Sequence, residues 1–399
     1  MCRIRILLFL SALAGTAYPQ APTCNVEAQV IPAVRAEGEA EPVSDILLVC
    51  TGGAVGASSL VDVTVTLTTN LTSRIMNAAS SASEALVLID DPQPGPLVNM
   101  SNGFPYTGQV RGRPGVPAGQ TGSGNVYLAR ESSAASVTWS GVPFVAPGPS
   151  AARYLRITNL RANATNLPVV NGLAPIQATV SSTLALTNAT NYVGFAAPGF
   201  TFSAVTSPAS TSTLTFTENF ATAFRPRITT TSAGPFSESR QDMPGYVYWT
   251  ESQFTPCFSP ANCSSPPNSL IGLASKGTVL LSHLAGLGAG AASVSVPNQV
   301  VTVFAPGLTS EVYLLVNGKP VTASGNSTLP VVGGTVDVLY EVATSNPSAI
   351  DQFQVPVALL DAASAPLAFP ARAAFAGHLA PLDSTATASP TAPQPRFIP

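Results

Sequence analysis

The run Ile46-Leu47-Leu48-Val49-Cys50-Thr51-Gly52-Gly53 is too short for a helix and too apolar for a surface strand. A helix burying one face needs ten or more residues with apolar side chains recurring at three and four. Here Ile, Leu and Val stand side by side until Gly-Gly stops them, which is the pattern of a strand buried on both faces. The same grammar recurs along the chain. Residues 61–68 read Val-Asp-Val-Thr-Val-Thr-Leu-Thr, apolar at odd positions and polar at even ones, so one face is buried and the other wet. Leu86-Val87-Leu88-Ile89 ends in the turn chemistry of Asp90-Asp91-Pro92.

Strands are expected at 126–128 and 137–139 as a hairpin, and at 154–160, 176–180, 192–195, 246–249, 278–281, 336–340 and 353–360. The sharpest hairpin signal is Val312-Tyr313-Leu314-Leu315-Val316-Asn317-Gly318-Lys319-Pro320-Val321, because Asn-Gly takes the two positive backbone angles of a type I′ turn. With 37 Pro and 31 Gly among 399 residues, almost every candidate helix is interrupted. The expected fold is all-β: two antiparallel β-sandwich-like, Ig-like modules with long Pro/Gly-rich loops.

Residues 1–17 carry Arg3 and Arg5, an apolar run and then small residues, the layout of a cleavable secretory leader. The apolar run is well short of the ~20 residues of a bilayer span, and no later segment makes a transmembrane helix. An N-terminal β domain is expected over 18–225, a Pro, Thr, Ser and Gly linker over 226–245, an Ig-like domain over 246–360, and a disordered Ala/Pro/Ser/Thr-rich tail over 361–399. One internal echo, Phe195-Ala196-Ala197-Pro198-Gly199-Phe200 and Phe304-Ala305-Pro306-Gly307-Leu308, hints at related turns.

A leader implies export, and export changes the meaning of cysteine. Without the leader's Cys2, four remain, and spacing favours Cys24 with Cys50 and Cys257 with Cys263 as two disulfides. The larger loop would stabilise by roughly 3 to 4 kcal/mol in the chain-entropy model. A four-thiolate metal site lacks its paired close spacing, so no metal and no cofactor is expected.

Charged residues are only 9% of the chain, where about 25% is usual. A net charge of -3 supplies no basic field, which disfavours nucleic acid as a partner. Arginines cluster locally at Arg111 and Arg113, at Arg153, Arg156 and Arg161, and at Arg225 and Arg227. These read as solvated faces with nearby carboxylates.

Catalytic residue types are scarce. His283 and His378 are the only histidines, and no Gly-x-Ser-x-Gly elbow occurs. The run Gly286-Leu287-Gly288-Ala289-Gly290-Ala291 fits a dinucleotide fingerprint in spelling. The alternating Ser293-Val294-Ser295-Val296-Pro297 behind it reads as a strand, whereas pyrophosphate binding needs a helix there. Asp90 with Asp91 is a strand end rather than a carboxylate pair for glycoside hydrolysis. Aromatic, acidic and basic side chains concentrate in one place, residues 238–254. Asp242, Tyr246, Tyr248, Trp249 and Glu251 would there form a sugar-binding platform. The competing reading makes Trp249 core, as Trp139 is expected to be.

Four segments carry a likeness: Leu48-Val49-Cys50-Thr51-Gly52-Gly53, Thr69-Asn70-Leu71-Thr72-Ser73-Arg74-Ile75, Ser83-Glu84-Ala85-Leu86-Val87-Leu88-Ile89-Asp90, and Tyr154-Leu155-Arg156-Ile157-Thr158-Asn159-Leu160-Arg161-Ala162-Asn163. Through them the first half resembles uncharacterised secreted, β-rich proteins of soil bacteria. The resemblance implies export and a sheet fold. It brings no catalytic residues.

The expected function is therefore that of a non-enzymatic secreted or cell-surface β protein serving structure, adhesion or assembly, with self-association or an extracellular polymer as partner. The alternative is a carbohydrate-binding module or a secreted glycan-active enzyme centred on residues 238–254.

Overall fold

The structure, a computed structural model, describes residues 21–73, 75–77, 82–90, 126–165, 167–205, 210–225, 278–305, 307–316 and 319–380. All regular elements among them are strands. The first module begins with β1 (Thr23–Ala28), β2 (Ala33–Arg35), β3 (Glu41–Pro42), β4 (Ile46–Gly52), β5 (Ser58–Leu67), β6 (Ile75–Asn77) and β7 (Ala82–Ile89). It continues through β8 (Val126–Ser133), β9 (Ser136–Val145), β10 (Gly148–Thr158), β11 (Arg161–Ala162), β12 (Ala174–Ser182), β13 (Ala185–Thr187) and β14 (Thr190–Ala197). The second holds β15 (Phe200–Val205), β16 (Thr211–Glu218), β17 (Val279–Ala285), β18 (Ser293–Pro297), β19 (Gln299–Ala305) and β20 (Leu308–Val316). Its last strands are β21 (Lys319–Pro320), β22 (Asn326–Pro330), β23 (Val336–Thr344), β24 (Gln352–Leu360), β25 (Pro366–Leu367) and β26 (Ala374–Leu379).

Twelve strands of the first module form one sheet in the order β13-β1-β4-β10-β7-β8-β9-β5-β12-β14-β2, with β6 on β7. The pairs are antiparallel except β1 with β13 and β14 with β2. The sheet rolls until its ends meet. Asn191 Nδ2 donates to the Val26 carbonyl at 3.3 Å, and Ser44 N–H to that of Val193 at 2.8 Å. One core fills the roll, with Ile46, Leu48 and Ile157 from one side and Val63, Val65 and Ile176 from the other. The alternation of residues 61–67 is realised: Val61, Val63, Val65 and Leu67 are buried while Asp62 and Thr66 are exposed. Trp139 is in this core, and its indole N–H donates to the Tyr127 carbonyl at 3.0 Å. The Cys24–Cys50 disulfide joins directly opposed positions of β1 and β4.

The second module is a sandwich of two six-stranded sheets, β15-β16-β24-β18-β22 with β25, and β19-β20-β23-β17-β26 with β21. Leu214, Phe216, Val355 and Val357 of the first meet Val312, Leu314, Val338 and Tyr340 of the second. Strands β20 and β21 pair Val316 with Lys319, so only two residues separate them, as Asn-Gly requires.

Two expectations need correction, and a third falls on residues not described. Strands β15 and β16, expected within an N-terminal domain of 18–225, pair with β24 and join the second core, so the chain crosses between cores at Pro198-Gly199. The expected linker, 226–245, lies outside the described residues. The segment to residue 380, expected in a disordered tail, contributes β25 and β26 to the two sheets of the second module. The echoed turns also differ in role. Residues 195–200 carry the crossing between modules, whereas Ala305 and Leu308 close the β19–β20 hairpin.

Candidate functional site at the junction of the two modules

Charge is scarce in this chain, so where it is buried matters. Arg35 ends β2 and Glu41 begins β3, and the turn between them brings the two side chains face to face, both with no exposed surface. Arg35 Nε and Nη2 donate to Glu41 Oε1 at 2.8 and 2.5 Å, and the Arg35 main-chain N–H to Oε2 at 3.2 Å. Arg225 Nη2, arriving from the second module, donates to Oε2 at 2.6 Å. Four donors fill the acceptor sites of one carboxylate. Burial by itself would raise the Glu41 carboxyl; the Arg225 and Arg35 charges and their hydrogen bonds outweigh it and hold the group well below the usual carboxylate range.

Thr278 completes the junction. Its hydroxyl accepts from Arg35 Nη1 at 3.0 Å and from the Arg225 N–H at 2.9 Å, while its own N–H donates to the Arg225 carbonyl at 2.8 Å. The backbone makes room for this packing. A Cβ on Gly38 would stand 2.0 Å from Glu41 Oε1, and one on Gly199 would stand 2.5 Å from Arg35 Cγ. Gly199 N–H donates to Glu37 Oε2 at 2.9 Å, which ties the crossing to the β2–β3 turn.

Arg225 is delivered by the residue before it. Phe224 is buried against Phe200 and Phe353 in the second core, so the chain is pinned one residue from the guanidinium. Glu218 holds the same loop, accepting the Phe224 N–H on Oε1 at 2.5 Å and the Asp351 N–H on Oε2 at 2.9 Å. Asp351 in turn accepts from the Ser310 hydroxyl at 2.7 Å and the Asn346 N–H at 3.1 Å. A chain of hydrogen bonds thus runs from β20 through both acids to Phe224, the residue before Arg225.

The arginine expectation is corrected in part. Arg153 meets Asp90 at 3.4 Å and Arg156 meets Asp45 at 2.9 Å, so carboxylates are nearby. Arg156 and Arg161 are nonetheless buried, not solvated; Arg161 Nη1 donates to the Ala40 carbonyl at 3.4 Å. Arg111, Arg113 and Arg227 lie outside the described residues.

The platform residues Asp242, Tyr246, Tyr248, Trp249 and Glu251 also lie outside the described residues, as do Cys257 and Cys263. His283 sits on the outer face of β17, its Nδ1 2.6 Å from Asp337 Oδ1 on β23, opposite Ser282, which is buried. The glycine run 286–291 leads straight into β18, as the alternation behind it implied. Its glycines serve the turn: Gly286 and Gly288 have φ of 69° and 85°.

Sequence reasoning passed over Arg35, Glu41, Thr278, Glu218 and Asp351. A signal was present in Arg35-Ala36-Glu37-Gly38-Glu39-Ala40-Glu41, a knot of charge around a glycine in a chain that otherwise avoids charge.

No protein-family model and no curated protein matches the chain. Among solved structures it is similar to the B domain of a biofilm-associated protein at 9% identity, covering 88% of this chain and 84% of that one with a TM-score of 0.17. It is also similar to the full-length RrgB pilus protein from Streptococcus pneumoniae at 8% identity, covering 83% of this chain and 37% of that one with a TM-score of 0.19. Likeness at these scores carries no argument about what this chain does.

Proposed function

We propose that the chain is a structural or adhesive β protein of an oxidising, extracellular or cell-surface setting, whose two modules act as one stiff unit. The carrying observation is the buried Arg35–Glu41–Arg225–Thr278 junction. Glu41 has every acceptor site occupied by protein donors, two of its partners being the Arg35 and Arg225 guanidiniums, so the cluster is built to join modules rather than to turn over a substrate. The buried Cys24–Cys50 disulfide supports the compartment, since such bonds persist where thiols are not kept reduced. Faces rich in Thr and Ser support contact with surfaces or polymers: Thr64 and Thr138 hydroxyls lie 2.8 Å apart across β5 and β9, and Thr179 and Thr190 hydroxyls 3.1 Å apart across β12 and β14.

The test is to fractionate the source cells, label thiols before and after reduction, and compare attachment of cells with and without the gene. The protein is expected outside the cytoplasm with Cys24 and Cys50 oxidised, and attachment is expected to fall without it. Recovery in the cytoplasm with reduced thiols would overturn the proposal.

A further inference from the structure

An edge strand offers unpaired main-chain N–H and C=O groups to any second strand, and proteins guard such edges with charge, proline, bulges or brevity. Among the described residues the second module has four edges. Strand β22 is five residues long and ends in Pro330. Strands β15 and β26 pack on one another, so closely that a Cβ on Gly377 would stand 2.3 Å from the Phe202 ring. Strand β19 has only one guard, a bulge at its far end between Val303 and Ala305. Its seven residues, Gln299-Val300-Val301-Thr302-Val303-Phe304-Ala305, include no charge and no proline. It bonds along one side to β20, and among the described residues no main-chain bond is made on the other. Val300 packs on the core, and the Thr302 hydroxyl donates inward to the Gln352 carbonyl at 2.6 Å. Val301 and Val303 point the other way, 44% and 69% exposed.

We infer that β19 is the strand through which this chain pairs with a second copy of itself, antiparallel and about a two-fold axis at Thr302. The inference rests on the structural reading above and names the surface of assembly. The occupant follows from self-complementarity. With Thr302 opposite its symmetry mate, Val301 meets the partner's Val303, and regular pairing stops at the bulge after Val303. Four valines then form one apolar strip. The nearest acid on the outer face is Glu311, which sits on β20 beside Val301, while Thr309 sits beside Val303. Each Glu311 therefore ends a row whose far end is the partner's Thr309, and no like charges oppose. A net charge of -3 adds little repulsion. The two-fold arrangement consumes both edges, so it closes as a dimer instead of growing into a fibre. Two seven-residue strands bury less than the ~1,200 Å² of a standard interface, so the dimer dissociates on dilution.

Sedimentation velocity of the full chain over a concentration series tests this, with Val303→Lys as the disrupting variant and Val332→Lys, at a 72% exposed position on the turn preceding β23, as the control. Wild type is expected to show a reversible monomer–dimer equilibrium. Val303→Lys should raise the dissociation constant at least tenfold, Val332→Lys should change it less than twofold, and all three should melt alike. A mixture of Val301→Cys and Val303→Cys chains should cross-link on oxidation far faster than either variant alone, which reads the register without adding a charge. A wild-type chain monomeric at every concentration, or a Val303→Lys dimer as tight as wild type, overturns the inference. Neither result touches the proposed function, which stands or falls on cellular location and attachment.

Discussion

Asp351 and Glu218 hold each other through the backbone: the Asp351 N–H donates to Glu218 Oε2 at 2.9 Å, and the Glu218 N–H donates back to the Asp351 carbonyl at 2.9 Å. The two acids are thereby fixed in a buried site, and their neighbours decide which charge state folding prefers.

Burial above all pushes Glu218 up to about 7; hydrogen bonds from Asp351 and Phe224 oppose this, the Asp351 charge adds to it, and Arg35 opposes it. Burial raises Asp351 too. A raised carboxyl contributes stability that is complete below its ordinary value of 4.5 and is lost as pH climbs through about 7. Glu41 is shifted the other way, and its contribution is present above 4.5 and lost as pH falls. The melting temperature should therefore peak in mildly acidic solution and drop by on the order of 5 °C between about pH 5 and pH 8. Thermal scans of Glu218→Gln should show that slope flattened; an unchanged slope would remove Glu218 as its cause.

Glu41→Ala leaves Arg35 and Arg225 without their common carboxylate. Breaking a buried ion pair from one side costs about 3 to 5 kcal/mol, and the loss should appear in calorimetry as two separated transitions where wild type shows one. Gly199→Ala should act in the same direction without touching a charge, since its Cβ would meet Arg35 Cγ at 2.5 Å.

Cys50→Ser opens a loop whose ends are 26 residues apart in sequence. A loss of about 3 to 4 kcal/mol is expected by urea denaturation. Any binding by the folded protein should be retained, because Cys50 is buried in the wall of the first core.

Trp139→Ala removes the largest buried side chain of the first module together with its hydrogen bond to Tyr127. A cost of about 3 to 5 kcal/mol is expected. Trp139→Phe should cost less, the remainder reporting the lost indole hydrogen bond to Tyr127.

Much of the architecture was legible because it is local. Alternation at Val61 to Leu67, the Gly-Gly stop after Thr51, the Asn-Gly turn and the Cys24–Cys50 spacing each speak through neighbours in sequence. The module boundary is not local. Strand β16 belongs to the second module only because it pairs with β24, and nothing in Thr211 to Glu218 announces a partner more than a hundred residues away. The junction was hidden for a related reason. Arg35 and Glu41 look like a solvated turn until Arg225 and Thr278 bury them from the other module.

The pairing of β16 with β24 also sets an order of events. Every described strand of the first module lies before residue 198, so that core is complete early in the chain's emergence. The β15–β16 hairpin, with Phe200, Phe202 and Phe216 on one face, must then wait until Gln352 has appeared before its free edge is covered. Long-range pairing of this kind is slow, and an uncovered apolar hairpin is prone to misassociation while it waits. The second module, not the disulfide-bonded first, is where yield in a refolding or export experiment is decided.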